Sequence, residues 1–109
     1  MIELLKKETL LKIYIDNTDR YKDELLWTYL LQAIQDANLS GATVYKAVAG
    51  VGNHKTIHTF EILNLSNEMP LIIEVIENKE KILDFLKENR DALKGLFITL
   101  SDIETLSLS

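Results

Sequence analysis

Leu11, Ile13 and Ile15 alternate with Lys12, Tyr14 and Asp16. This period-two pattern predicts a half-buried strand over 10–16. After the polar connection of residues 17–22 the period changes. Leu26, Tyr29, Leu30, Ala33, Ile34 and Ala37 recur at helical spacing, predicting a helix over 23–38. Asp23 and Glu24 suit its positive N-terminal end, and Asn38 and Gly41 suit the left-handed backbone that closes many helices. Tyr45, Ala47 and Ala49 alternate with Val44, Lys46 and Val48 in a second strand over 43–49, and Gly50-Val51-Gly52-Asn53 signals a loop. Residues 54–65 read as an extended, projecting arm, which Ser66-Asn67-Glu68-Met69-Pro70 turns back. The Ile- and Val-rich run 71–76 predicts a third strand. Asn78 then caps a helix carrying Ile82, Phe85, Leu86, Asn89 and Leu93 as far as Gly95. A last strand follows over 96–100, with a short terminal one over 103–106.

This order gives two βαβ units around an arm. It predicts an α+β, ferredoxin-like βαββαβ sandwich with both helices on one face of an antiparallel sheet. The other face then needs a cover, because the run 71–76 is apolar on both sides. Burying Ile72 and Ile76 offers about 1.5–3 kcal/mol each, and the chain has no spare element to do it. Self-association is the simplest cover. The open face is expected to carry Lys12, Tyr14, Asp16, Lys46, Glu74, Phe97 and Thr99, with Glu74 balanced by Lys12 or Lys46. Trp27 falls off the stripe of the first helix and reads first as a packing residue, with covering a subunit boundary or a pocket edge as the alternative.

Composition narrows the function. At 109 residues and 47% apolar, the chain is expected to form a single domain over 1–109. Its formal net charge of −5 argues against nucleic acid, which is held mainly through Lys and Arg. The absence of cysteine excludes disulfides and thiolate chemistry. The apolar runs are far shorter than a membrane span, and the first eight residues do not read as a signal peptide, so a cytoplasmic location without membrane insertion is expected.

Ser40-Gly41-Ala42-Thr43-Val44, Ala49-Gly50-Val51-Gly52, Ile57-His58 and Met69-Pro70-Leu71-Ile72-Ile73-Glu74-Val75-Ile76 occur in that order, after Leu11-Lys12-Ile13-Tyr14-Ile15 and Asp19-Arg20. Together they resemble the PII-like proteins grouped as domain of unknown function 190. The resemblance implies a PII-like homotrimer that binds a small anionic effector, with a nucleotide as one candidate, in clefts between subunits. It also implies signalling through the 50–70 arm to a partner protein, with a membrane transporter as one candidate. The sequence departs from PII proper after the second helix. There the glycine- and basic-rich turn that holds phosphates is reduced to Asp91-Ala92-Leu93-Lys94-Gly95.

The candidate ligand-binding residues are Arg20, Lys46, Gly50, Gly52, His54, Lys55 and His58. Successive amides around Gly50 and Gly52 could form an anion-binding nest, though a bend leaving the strand explains them as well. Lys55 could pair with a phosphate, and His58 could donate a hydrogen bond or titrate near neutral pH. Arg20 carries a planar fork suited to a carboxylate or phosphate. The alternative is a trimeric metal-binding protein of the ion-tolerance type. In an extended segment, however, His54 and His58 stand about 13 Å apart, so one ion would need histidines from neighbouring subunits. No residues stand at a recognisable catalytic spacing, so no enzyme activity is expected.

Overall fold

A computed structural model describes residues 3–48 and 69–108. The elements run β1 (Glu3–Asp16), β2 (Arg20–Tyr21), β3 (Glu24–Leu25), α1 (Leu26–Asp36), β4 (Ala42–Lys46), β5 (Pro70–Glu77), α2 (Lys79–Glu88), α3 (Arg90–Leu93) and β6 (Phe97–Leu108). The main sheet has the order β4-β5-β1-β6, and every pairing in it is antiparallel. This is the ferredoxin-like arrangement expected from the pattern.

The core lies between the sheet and the helices. Leu11, Ile13 and Ile15 of β1 and Leu71, Ile73 and Val75 of β5 meet Leu26, Leu30 and Ile34 of α1 and Ile82 and Phe85 of α2. Trp27 packs partly buried against this core, as its first reading expects. Asn78 caps α2 by accepting from the backbone N–H groups of Glu80 and Lys81 at 2.8 and 3.3 Å. Asn38 and Gly95 adopt the positive φ values, 58° and 84°, that let the chain leave its helices.

The second strand, expected over 43–49, ends at Lys46. Four further boundaries differ from the sequence reading, each for a local reason. Strand β1 begins at Glu3, and β6 runs unbroken to Leu108, because the two pair from Glu3↔Leu108 to Tyr14↔Phe97. Since β5 pairs with β1 only from Thr9 onward, the outer parts of β1 and β6 form a two-stranded ribbon beyond the body of the sheet. Helix α1 starts at Leu26 rather than residue 23. The residues before it form the β2–β3 hairpin, turned by Lys22 at φ 57° and braced by the Arg20 guanidinium, which donates to the Asp23 carbonyl at 2.9 Å. The second helix divides at Asn89, whose side-chain amide donates to the Phe85 carbonyl at 2.9 Å.

Register settles the open face. Tyr45, Ile72, Tyr14 and Phe97 form one row across it, and Thr43, Glu74, Lys12 and Thr99 form the next. Lys46 is opposite Leu71, so its side chain belongs to the helix side and not to the open face; Tyr45 occupies the open face instead. Glu74 is balanced by Lys12, with 3.9 Å between their charged atoms, and accepts from the Tyr45 hydroxyl at 3.4 Å.

Candidate functional site

One end of the sheet collects the chain's connections. Here β1 ends at Asp16, β4 ends at Lys46, β5 begins at Pro70 and β6 begins at Phe97. Both flanks of the segment between residues 48 and 69 are pinned at this end. The Ala47 N–H donates to the Pro70 carbonyl at 2.9 Å. Asn17 and Met69 exchange two hydrogen bonds: Asn17 N–H to the Met69 carbonyl at 2.9 Å, and Met69 N–H to the Asn17 side-chain oxygen at 2.7 Å. Asn17 thus does the closing work of a strand partner beyond the last sheet pairing.

Helix α2 runs back along the sheet and delivers α3 to the same end, where the Tyr21 hydroxyl donates to Asp91 Oδ2 at 3.0 Å. Tyr21 is held by its ring, which packs on Tyr29 with centroids 4.7 Å apart, while Lys22 Nζ sits 5.2 Å from the centroid. The hydrogen bond to Asp91, followed by desolvation, raises the Tyr21 pKa above its ordinary value of 10.0, so the hydroxyl remains a donor at physiological pH.

Beside this contact lies an open cleft lined by Leu86, Leu93 and Ile98 and by the charged residues Glu88, Arg90, Asp91 and Lys94. Arg90 and Lys94 are four residues apart, the spacing that brings two side chains to one side of a helical turn. Neither has an ion-pair partner among the described residues. Apolar side chains beside two cations that stand outside any such ion pair, in a lining that also holds the carboxylates Glu88 and Asp91, suit a small molecule that carries a planar body and an anionic group.

Of the residues singled out from sequence, Arg20 stands at this end, with one guanidinium nitrogen committed to the Asp23 carbonyl, and Lys46 ends the exposed edge strand there. Gly50, Gly52, His54, Lys55 and His58 lie outside the described residues. Among the described residues no group of three or more His, Asp or Glu side chains could hold a metal ion, and no helix is long and apolar enough to cross a membrane. Sequence reasoning passed over Arg90 and Lys94, because the short turn after the second helix lacked the expected run of glycine and basic residues. The available signal was the four-residue spacing of two cations around Asp91.

The opposite end carries the one buried carboxylate among the described residues. Glu77 is only 7% exposed. Burial pushes its pKa up, but hydrogen bonds from the Asn78 N–H and from the Ser40 hydroxyl and N–H outweigh that, and the net result lies below the ordinary 4.5. The three bonds measure 2.9, 2.8 and 2.7 Å. They tie the turn after α1 to the start of α2.

A ferredoxin-like sheet with this topology, and with its connections gathered at one end, is the architecture of PII-like proteins. The chain is similar in structure to CPII from Thiomonas intermedia K12, a nitrogen regulatory PII-like protein solved bound to ADP, AMP and bicarbonate. The TM-score is 0.69 at 13% identity, covering 94% of this chain and 98% of that one. The apo form of CPII gives a TM-score of 0.70 at 11% identity, covering 98% and 100%. The chain belongs to the DUF190 family, described as Uncharacterized ACR, COG1993, which matches residues 8–105. Relatives include a UPF0166 protein of Aquifex aeolicus, 35% identical over 94% of this chain and 96% of that protein. Another is a UPF0166 protein of Methanocaldococcus jannaschii, 34% identical over 84% and 86%.

Proposed function

We propose that the chain is a cytoplasmic PII-like regulator, a binding protein rather than an enzyme. It takes a small anionic effector, of which an adenine nucleotide is the leading candidate, at the connection-rich end of the sheet, and it signals through the 50–70 segment to a partner protein. The observation that carries this reading is the cleft beside α3, where Arg90 and Lys94 lack ion-pair partners among the described residues and stand beside apolar side chains. CPII, solved with ADP, AMP and bicarbonate, supports it by analogy of fold. Calorimetric titration with ADP, AMP and bicarbonate tests it. Saturable binding that weakens about ten-fold or more in an Arg90→Ala, Lys94→Ala variant is the expected outcome, since each cation contributes charge-assisted bonds. Binding unaffected by that variant would remove the cleft from the function.

The reading includes a homotrimer. Phe97 is 59% exposed on the open face although the aromatic ring of Tyr14 lies 5.2 Å away, and Leu4, Leu5, Leu106 and Leu108 of the ribbon are each 53–63% exposed. Isolated two-stranded ribbons are marginal in water, and apolar patches of this kind mark association surfaces. The central charges of the open face, Lys12 and Glu74, pair within the chain, so covering the face strands neither of them. Light scattering at micromolar concentration should give three times the chain mass, and an Ile72→Lys, Phe97→Asp variant should fall to one. A wild-type monomer would refute this part.

A further inference from the structure

Four charged groups, Glu88, Arg90, Asp91 and Lys94, line the cleft beside α3, yet none of them pairs with another. Asp91 is the acid that sequence places next to Arg90 and three residues before Lys94, and left to itself it would be their nearest counter-ion. Its Oδ2 instead accepts from the hydroxyl of Tyr21, a residue of the β2–β3 hairpin, at 3.0 Å. The Tyr21 ring is fixed in turn against Tyr29, so the hydroxyl is aimed rather than free to follow the carboxylate.

We infer that Tyr21 is a positioning residue for the anion site: its hydroxyl holds Asp91 away from Arg90 and Lys94, keeping both cations available to an anionic ligand. The inference rests on the proposed effector cleft. Without the hydroxyl, Asp91 turns toward the cations, and an incoming anion must displace a carboxylate already in place. The ligand class that feels this most is one whose recognition depends on phosphate charge.

The test is calorimetric titration of the intact chain with ADP, comparing wild type with Tyr21→Phe, Asp91→Asn and the double variant. Tyr21→Phe should weaken ADP by about two- to five-fold, the range that one exposed ion pair is worth. Asp91→Asn should bind at least as tightly as wild type. The double variant should recover wild-type affinity, because the competing carboxylate is gone. A merely structural tie predicts the reverse, the double variant remaining as weak as Tyr21→Phe, and that result overturns the inference. So does wild-type affinity in Tyr21→Phe, which leaves the cleft itself standing. If ADP fails to bind the wild type, the nucleotide reading and this inference fall together.

Discussion

Glu77 and Asp91 flank α2, one just before it and the other just after, and their surroundings differ. Glu77 is 7% exposed and collects three donors from two loops, and burial raises the strength of each bond by excluding water. Asp91 is exposed and takes one hydroxyl, while Arg90 and Lys94 beside it have no ion-pair partner among the described residues. A carboxylate whose neighbours are all satisfied fixes the fold. A cluster that leaves two cations outside any ion pair among the described residues is the one the proposed function draws on, and the contrast between the two ends can be tested.

The largest effect should follow from opening the satisfied end. Glu77→Ala removes the acceptor of three hydrogen bonds and leaves the Ser40 N–H and hydroxyl without it, at a cost of about 3 kcal/mol by chemical denaturation at pH 7. The pH dependence has a definite sign. The folded pKa lies below the unfolded one, so the unfolded chain binds the proton more readily, and stability from Glu77 is present above the ordinary 4.5 and is lost as pH falls through the folded value. Wild type should therefore converge toward a Glu77→Gln variant in acid. A stability gap that persists unchanged to pH 2 would show that the charge contributes nothing. Arg90→Ala and Lys94→Ala should by contrast leave stability within about 0.5 kcal/mol, as exposed changes usually do. If they destabilise as much as Glu77→Ala, the distinction between the two ends fails.

Much of this was legible in the chain, and the failures have physical causes. The alternation in β1 marked the core face residue by residue, because one face must be apolar and the period is fixed at two, whereas in β5, apolar on both sides, only Glu74 marked the open face. The ribbon was not legible. Leu4, Leu5, Lys6 and Lys7 do not alternate, since neither face of the ribbon meets the core and no burial pattern is imposed on it. The side of Lys46 was misjudged because a short edge strand of mixed character has weak phase, and only its register against Leu71 decides it. At the connection-rich end, Arg20 was legible by its place between strand and helix. Tyr21 and Asp91 were not, because they are 70 residues apart and meet only when α2 has returned along the sheet.

The smallest effect separates the two ends by salt. Charges in water are screened over about 8 Å at physiological ionic strength, whereas a buried network scarcely feels added ions. Arg90 and Lys94 are exposed, so ADP affinity should fall by a few-fold between about 0.05 and 0.5 M sodium chloride. The stability lost in Glu77→Gln should change much less over the same range, because its hydrogen-bond partners are backbone amides and a hydroxyl at fixed distance, and the Lys81 cation is the weakest of the influences on it. Affinity that ignores salt would mean that the ligand is held by the apolar side chains of Leu86, Leu93 and Ile98 and not by the cations beside them. The effector class would then shift from phosphates toward uncharged ring compounds.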